Sequence, residues 1–108
     1  MRRYAIVLTP CAERQLTSLY NFIAERSGQN LAEKFVGEIV ADCQSLALFP
    51  ERGARRDDIR PGLRLKGYDR RVTIAFSIDV VNDKVVIHGV FYGGQDFEAA
   101  LRSATNDD

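Results

Sequence analysis

The side chains best suited to chemistry lie between residues 52 and 92, and most of them are arginines. Positions 52–71 hold eight Lys or Arg and three Asp, although the formal net charge of the 108-residue chain is zero. A guanidinium group stays protonated and pairs bidentately with phosphate or carboxylate oxygens. This segregation of charge predicts a recognition surface, and the alternative is a solvated run balanced by Asp57 and Asp58. The candidate partner-binding residues are Arg52, Arg55, Arg56, Arg60, Arg64, Arg70 and Arg71.

Two other side chains, His88 and Tyr92, are candidates for moving a proton. The ordinary pKa of histidine lies near neutrality, which suits general acid–base chemistry. His88 is the one histidine of the chain and stands between Ile87 and Gly89 in an apolar run, which favours a structural imidazole. Tyr92 ends the same run before a Gly-Gly pair, where a core tyrosine is the alternative to a functional one.

The composition limits the class of protein. A hydrophobic fraction of 45% with 28% charged residues is typical of a soluble domain, and 108 residues predict a single domain over 1–108. No window reaches the ~20 apolar residues of a membrane span, and the short apolar segment near residue 6 does not fit a signal peptide, so we expect a cytoplasmic protein. Cys11, Cys43 and His88 lack metal-ligand spacing, and no metal or cofactor is expected.

Two amphipathic helices are predicted in the first half of the chain. Alternation over residues 2–8 predicts a strand, after which Thr9 and Pro10 suit the cap and first position of a helix that ends near residue 26. Asn30 and Glu33 have the form of a capping box for a second helix. Its apolar positions recur at helical spacing as far as residue 46. The two apolar stripes predict a helical hairpin.

The second half predicts strands. Residues 51–62 are polar and are predicted to form an exposed connection. Residues 63–66 are predicted to form a short strand and residues 71–79 an alternating strand. Residues 84–92 are predicted to form a central strand that is covered on both faces. In the alternating strand Arg71 lies on the face opposite Val72 and Ile74, so we expect it to avoid the core of the helical hairpin and to face solvent or a partner. A short helix capped by Asp96 is predicted to residue 102. The order β-α-α-β-β-β defines an α+β domain, with an antiparallel or mixed sheet packed against the hairpin.

Residues spread over almost the whole chain carry a resemblance to a known family. They are Tyr4, Ala12, Leu16, Ile23, Ala24, Ala32, Phe35, Ile39, Leu46, Pro50, Gly53, Pro61, Gly62, Leu63, Arg64, Tyr68, Arg70, Arg71, Ile74, Phe76, Ile87, Val90, Gly93 and Asp96. In joint order and spacing the chain resembles toxins of the RelE/ParE superfamily, the toxin half of bacterial type II toxin–antitoxin pairs. It looks closer to the ParE branch, and the resemblance implies the RelE/ParE-like fold.

The two branches of this superfamily have different activities, so they imply different functions for this chain. RelE-type toxins cut messenger RNA on the ribosome without metal, and ParE-type toxins poison DNA gyrase by protein–protein contact. Gln95 stands where RelE-type sequences commonly have arginine, and no tyrosine or histidine follows it, which favours a gyrase inhibitor without catalytic residues. The alternatives are a degenerate member that only binds its antitoxin, and an endoribonuclease whose catalytic residues would come from Arg64, Arg70, Arg71, His88 and Tyr92.

The resemblance also implies a partner. Toxins of this kind are held inactive by an antitoxin whose acidic C-terminal segment wraps the toxin, so a ParD-like antitoxin and DNA gyrase are the expected partners. Acidic residues of that segment would meet the arginines named above. Tyr92, Gln95 and Phe97 complete the candidate partner-binding set, since the tail beginning near residue 96 is expected either to dock on the sheet or to contact gyrase.

Overall fold

The helical hairpin is the first layer of the fold. In the computed structural model, which describes residues 3–93 and 97–103, helix α1 spans Pro10–Ser27 and helix α2 spans Gln29–Gln44. Thr9 caps α1 as predicted, because its side-chain oxygen accepts a hydrogen bond of 3.1 Å from the backbone N–H of Ala12. A single 3-10 turn, Ser45–Ala47, follows α2. Among the helices of the described ranges, none combines the length and apolar character needed to cross a bilayer.

The reversal between the two helices is tighter than the sequence predicts. Gly28 alone separates them, and its φ of 95° is a conformation that glycine adopts most readily. Helix α2 therefore begins at Gln29 with Gly28 at its cap, and no side chain makes a capping hydrogen bond. The predicted capping box of Asn30 and Glu33 is wrong, because both residues already lie inside the helix.

A mixed five-stranded sheet forms the second layer, as predicted for the α+β class. The strands in spatial order are β1 (Ala5–Leu8), β5 (Lys84–Tyr92), β4 (Val72–Asp79), β3 (Arg64–Tyr68) and β2 (Ala54–Arg55). β1 pairs with β5 in parallel, and the other neighbours are antiparallel. The register shifts between Ala75 and Phe76, which pair with Gly89 and Ile87. His88 is therefore the extra residue of a β-bulge.

The main core lies between the hairpin and one face of the sheet. Ile39 of α2 and Ile74 and Phe76 of β4 are fully buried there. The alternation predicted for this strand is confirmed, since Val72, Ile74 and Phe76 belong to this core. Burial of such side chains stabilises the fold by roughly 1.5–3 kcal/mol each.

A second core lies on the opposite face of the sheet, so the prediction that the 84–92 strand is covered on both faces is confirmed. It consists of Ile59, Leu63, Ala75, Phe91 and Leu101, with Leu65 and Phe97 packed against it. Leu101 and Phe97 come from helix α3, Phe97–Ser103, which confirms the predicted short helix; its predicted cap, Asp96, lies outside the described residues. The prediction of an exposed connection over 51–62 is wrong in part, because this segment contains β2 and the buried Ile59.

Candidate partner-binding surfaces

The arginine-rich segment folds into two separate surfaces. Five arginines lie along the β2–β3 edge of the sheet or in the connection between these strands, and we call them the edge arginines: Arg52, Arg55, Arg56, Arg60 and Arg64. Arg70 and Arg71 lie in the turn that joins β3 to β4. The single surface that the sequence suggests is therefore divided between two regions of the fold.

Arg56 links the connecting segment to helix α3. Its guanidinium donates hydrogen bonds of 2.9 Å to both carboxylate oxygens of Asp58 and a third of 2.9 Å to Glu98. These hydrogen bonds raise the pKa of Arg56 above its ordinary value, so the group stays charged. Because Glu98 belongs to α3, the arginine holds α3 over the second core.

The other edge arginines also have partners within the chain. Nε of Arg60 donates to the carbonyl oxygen of Leu101 (3.4 Å), and Nη1 of Arg64 donates to that of Arg52 (3.4 Å). Arg52 in turn donates to Oγ of Ser45 (2.9 Å), and Arg55 pairs with Asp57 (3.2 Å). The pKa of the Asp57 carboxyl is lowered, first by the backbone N–H of Gly62 and then by Arg55. These contacts give the edge arginines a structural role.

Arg70 and Arg71 are placed differently. Asp69 and Arg70 have φ of 50° and 61°, and the N–H of Arg71 donates to the carbonyl oxygen of Tyr68 (3.3 Å), the pattern of a type I′ hairpin turn. Both arginines are exposed, and within the described ranges neither side chain has a hydrogen bond or ion pair. Their guanidinium groups are therefore available to a partner.

The structure places Arg71 at the end of the β3–β4 turn and not in the strand where the sequence predicted it. Because the turn ends at Arg71 and β4 begins at Val72, strand alternation does not set the direction of this residue. Arg71 lines a groove together with Phe22 and Leu31 of the helical hairpin. The prediction that Arg71 avoids the hairpin's core and faces solvent or a partner is confirmed, since the residue is exposed and is not part of that core.

This groove follows one side of α1, and we call it the α1 groove. One part, of about 430 Å³, lies between α1 and the end of β5, and the other, of about 410 Å³, lies between the tip of the hairpin and the β3–β4 turn. Phe22 and Tyr92 line both parts, so the two parts adjoin each other at these side chains. Gln15 lies inside the groove and accepts a hydrogen bond of 2.7 Å from the backbone N–H of Val90.

Tyr92 belongs to an aromatic cluster at the floor of the groove. Its ring centroid lies 6.2 Å from that of Phe22 and 6.1 Å from that of Phe35, which in turn lies 6.3 Å from Tyr68. The two pairs that involve Phe35 are edge-to-face, and such pairs contribute about 0.5–1.5 kcal/mol beyond the area that they bury. The sequence left open whether Tyr92 is a core residue or a functional one. In the structure Tyr92 packs against the main core and also lines the groove.

His88 lies on the other side of the sheet from Tyr92. Its Nε2 is 2.8 Å from Oγ of Ser77, and Nδ1 is buried without a hydrogen-bond partner in the described part of the chain. Burial, and secondarily the positive charge of Arg60, lower the pKa of His88 to about 4. The imidazole is therefore neutral at physiological pH and fills a structural position, the interpretation that the sequence favoured.

The residues of the ribonuclease alternative do not meet at one place. The five-residue strand β3 separates Arg64 from the turn with Arg70 and Arg71, a length of about 13 Å. His88 and Tyr92 lie on opposite faces of the sheet. Of the remaining candidates, Phe97 packs in the second core, with its ring centroid 6.1 Å from that of Phe91, and Gln95 lies outside the described residues.

Sequence reasoning missed the α1 groove. Cys11, Gln15 and Phe22 form a helical stripe beside the core stripe of α1, and only their contact with the end of β5 makes them part of a groove. One signal was present in the sequence, because Phe22 is an aromatic residue off the predicted apolar face of α1. Its side chain is 43% exposed, which is unusual for a large apolar residue beside a core.

Two solved structures have the same fold as this chain. A chain of the chromosomal ParDE toxin–antitoxin system from Pseudomonas aeruginosa superposes with a TM-score of 0.72 at 22% identity, over 84% of this chain and 97% of that one. A chain of the Mycobacterium tuberculosis toxin–antitoxin complex RelBE2 gives a TM-score of 0.62 at 19% identity, over 83% and 98%. The fold is therefore that of the RelE/ParE toxins.

A comparison of the sequence with models of protein families identifies the family of this chain. A family model described as the ParE toxin of the type II toxin–antitoxin system, parDE, matches residues 6–97. The chain belongs to this ParE toxin family. A search of curated proteins gave no significant sequence match.

Proposed function

We propose that this protein is the toxin of a type II toxin–antitoxin pair and that it inhibits bacterial DNA gyrase in the cytoplasm by protein–protein contact. The observation that carries the proposal is the match of the ParE toxin family over residues 6–97. Inhibition of this kind stabilises the state of gyrase in which DNA is cleaved. It requires a binding surface on the toxin and no catalytic residue.

The geometry of the candidate residues agrees better with an inhibitor than with a ribonuclease. General acid–base catalysis needs a group whose pKa lies near the working pH, and His88 is neutral with a pKa of about 4. Transition-state stabilisation needs cations next to the reacting phosphate, whereas β3 separates Arg64 from Arg70 and Arg71. We therefore favour the gyrase inhibitor over the ribosome-dependent endoribonuclease.

We further propose that a ParD-like antitoxin neutralises the toxin. The similar chains from P. aeruginosa and M. tuberculosis come from toxin–antitoxin systems. In the present protein the exposed Arg70 and Arg71 have no side-chain partner in the described ranges, and guanidinium groups bind carboxylates well. The edge arginines keep their place as candidates, but each must exchange an internal contact for a partner's carboxylate.

Expression of the toxin alone in a bacterial host tests the proposal in cells. We expect growth arrest with induction of the DNA-damage response, because trapped gyrase leaves broken DNA. Co-expression of the antitoxin encoded beside the toxin is the matched control and should restore growth. Growth arrest without DNA damage would favour the endoribonuclease, for which cleavage of a defined messenger RNA in a translation extract is the readout. Normal growth would indicate a member that only binds its antitoxin.

A further inference from the structure

Large apolar side chains are exposed at the end of the sheet that lies away from the β3–β4 turn, and we call this group the apolar end. Two of them follow the 3-10 turn and two lie in the β4–β5 turn, namely Leu48, Phe49, Val80 and Val81. Phe49 is 61% exposed and Val81 is 89% exposed. Exposed apolar residues that are scattered singly need no explanation, whereas a group of them indicates an interaction site.

Backbone hydrogen bonds place the two segments of the apolar end beside the start of β1. The N–H of Tyr4 donates to the carbonyl oxygen of Ala47 (2.8 Å), and the N–H of Ala5 donates to that of Asp83 (2.9 Å). Successive N–H groups of an extended strand point to opposite sides, so the backbones of Ala47 and Asp83 flank β1 at about 10 Å from each other. Two distant parts of the chain therefore present apolar side chains at the same end of the sheet.

Both segments are held in place by neighbouring residues and not by the exposed side chains themselves. Ala47 and Pro50, which flank the pair 48–49 in the sequence, are buried. In the β4–β5 turn the carboxylate of Asp79 accepts hydrogen bonds from the backbone N–H of Asn82 (3.1 Å) and from its side-chain amide (2.9 Å). A surface that is already ordered loses little conformational entropy when a partner binds.

The charges around the apolar end are balanced, in contrast to those of the β3–β4 turn. In the described part of the chain, the charged residues that flank the two segments are Arg3, Glu51, Arg52, Asp79, Asp83 and Lys84. In the β3–β4 turn Arg70 and Arg71 stand against Asp69 alone. An acidic segment of the antitoxin is therefore attracted to that turn and gains no net attraction at the apolar end. The apolar end suits a different partner, which it binds through apolar contact.

We propose that the apolar end is the surface through which this toxin contacts gyrase, with Phe49 and Val81 inserted into an apolar pocket of that enzyme. This inference rests on the proposed inhibition of gyrase and specifies the residues that make the contact. The eight residues of β4 separate the apolar end from the β3–β4 turn, a length of about 26 Å. Target and antitoxin thus touch different residues, although the bulk of a bound antitoxin can still exclude gyrase.

A second copy of this chain fits the apolar end less well than a larger partner does. At no more than about 120 Å² of apolar area for each large side chain, the four residues expose roughly 300 Å², well below the ~800 Å² that each partner contributes to a stable complex. Val81 protrudes at the tip of its turn, and a two-fold contact would press two protruding turns together. A pocket on a larger enzyme can enclose these side chains and supply the polar rim of the interface.

Binding of purified gyrase to the immobilised toxin, measured by surface plasmon resonance, tests this surface. Phe49→Asp and Val81→Asp each place a carboxylate at the apolar end, and each should weaken gyrase binding by about 10-fold or more. Leu31→Asp is the matched control, because Leu31 is also an exposed apolar residue but lies in α2 beside the β3–β4 turn. It should change the affinity by less than about 3-fold. Unchanged gyrase binding in either variant, or an equal loss for Leu31→Asp, would overturn the proposal.

The affinity for the antitoxin encoded beside the toxin shows whether the loss is specific to gyrase. Phe49→Asp and Val81→Asp should bind this antitoxin within about 3-fold of the wild-type affinity, and circular dichroism of each variant confirms that the fold is intact. Arg71→Glu should show the opposite result, with weaker antitoxin binding and unchanged gyrase binding. If the two apolar-end variants lose both partners equally, the apolar end is not specific to gyrase and the proposal is contradicted.

Failure of the surface and failure of the proposed function give different results. If folded wild-type toxin neither binds gyrase nor traps it on cleaved DNA, the proposed function is wrong and the surface proposal falls with it. If the wild type traps gyrase and the variants Phe49→Asp and Val81→Asp trap it to the same extent, only the surface proposal is wrong. Light scattering of the toxin alone checks the remaining occupant: a dimer that Val81→Asp dissociates would assign the apolar end to a second copy of this chain and contradict the proposal.

Discussion

Nε2 of His88 lies 2.8 Å from Oγ of Ser77, on the face of the sheet opposite the helical hairpin. The contact occurs at the bulge where β5 gains one residue relative to β4. It holds the chain's one histidine in a half-buried position, with Nδ1 facing no hydrogen-bond partner among the described residues. Protonation of this ring in the folded state is therefore unfavourable.

The first prediction concerns the pH dependence of stability. The folded-state pKa of His88 is about 4, below its ordinary value of 6.5, so the unfolded chain binds the proton first as the pH falls. The free energy of unfolding should decrease by about 1–2 kcal/mol between about pH 7 and pH 5, after allowance for partial solvent exposure. Urea denaturation at both pH values should show a smaller decrease for His88→Gln. Equal decreases for the two proteins would contradict the assignment.

A matched pair of glycine substitutions tests the β2–β3 edge. Gly53 has φ of 77°, and a Cβ atom there would clash with the carbonyl oxygen of Leu65. Gly53→Ala should lower the free energy of unfolding by about 2 kcal/mol or more. Gly37 lies in α2, where such a Cβ would have no other part of the described chain within 4 Å apart from its chain neighbours and the backbone of its own helix, and Gly37→Ala should raise the free energy by about 0.5–1 kcal/mol. Thermal denaturation compares the two variants, and effects of the same sign would refute this account.

Arg70 should show opposite effects on stability and on binding. Its φ of 61° costs an L-residue about 1 kcal/mol relative to glycine, so Arg70→Gly should raise the free energy of unfolding by about 0.5–1 kcal/mol. The same substitution should weaken antitoxin binding, because it removes an exposed guanidinium group. Asp83→Gly is the control for affinity, since Asp83 also has a positive φ of 54° but lies in the turn between β4 and β5. Calorimetric titration that finds unchanged affinity for Arg70→Gly would argue against this role.

Charge reversal at Arg71 should affect binding more than folding. Arg71→Glu places a carboxylate beside the expected acidic segment of the antitoxin, and we expect a loss of affinity of at least about 10-fold. The melting temperature should change by only a few degrees, because the side chain is exposed. Lys34→Glu, an exposed change on α2, is the control for net charge. Identical affinities for wild type and Arg71→Glu would refute the proposed contact.

Local patterns in the sequence were sufficient to predict most of the fold. Strand alternation identified β4, and the Thr9-Pro10 pair identified the start of α1. The boundary of α2 was predicted wrongly because Gly28 reverses the chain through its positive φ, an effect that competes with the weaker capping signal of Asn30. Such a competition is decided by how the two helices pack and not by the local sequence.

The second core and the α1 groove depend on contacts between distant parts of the chain. Ile59 is buried only because the connecting segment folds back on the sheet, where Leu101 of α3 covers it. Arg56 pairs with Glu98 across 42 positions, so no local pattern predicts that this arginine is already engaged. The sequence therefore identified the cationic residues, and the structure separated those with internal partners from Arg70 and Arg71.

Gyrase trapped on cleaved DNA is the most direct measurement of the proposed activity. Purified gyrase, plasmid and ATP are incubated with a stoichiometric excess of the toxin, the reaction is stopped with detergent and protease, and linear DNA is quantified. Toxin bound beforehand to its antitoxin serves as the control. We predict that the free toxin causes linear DNA to accumulate and supercoiling to decrease, while the complex does neither. Supercoiling at the full rate with no linear DNA, in the presence of folded free toxin, would contradict the account.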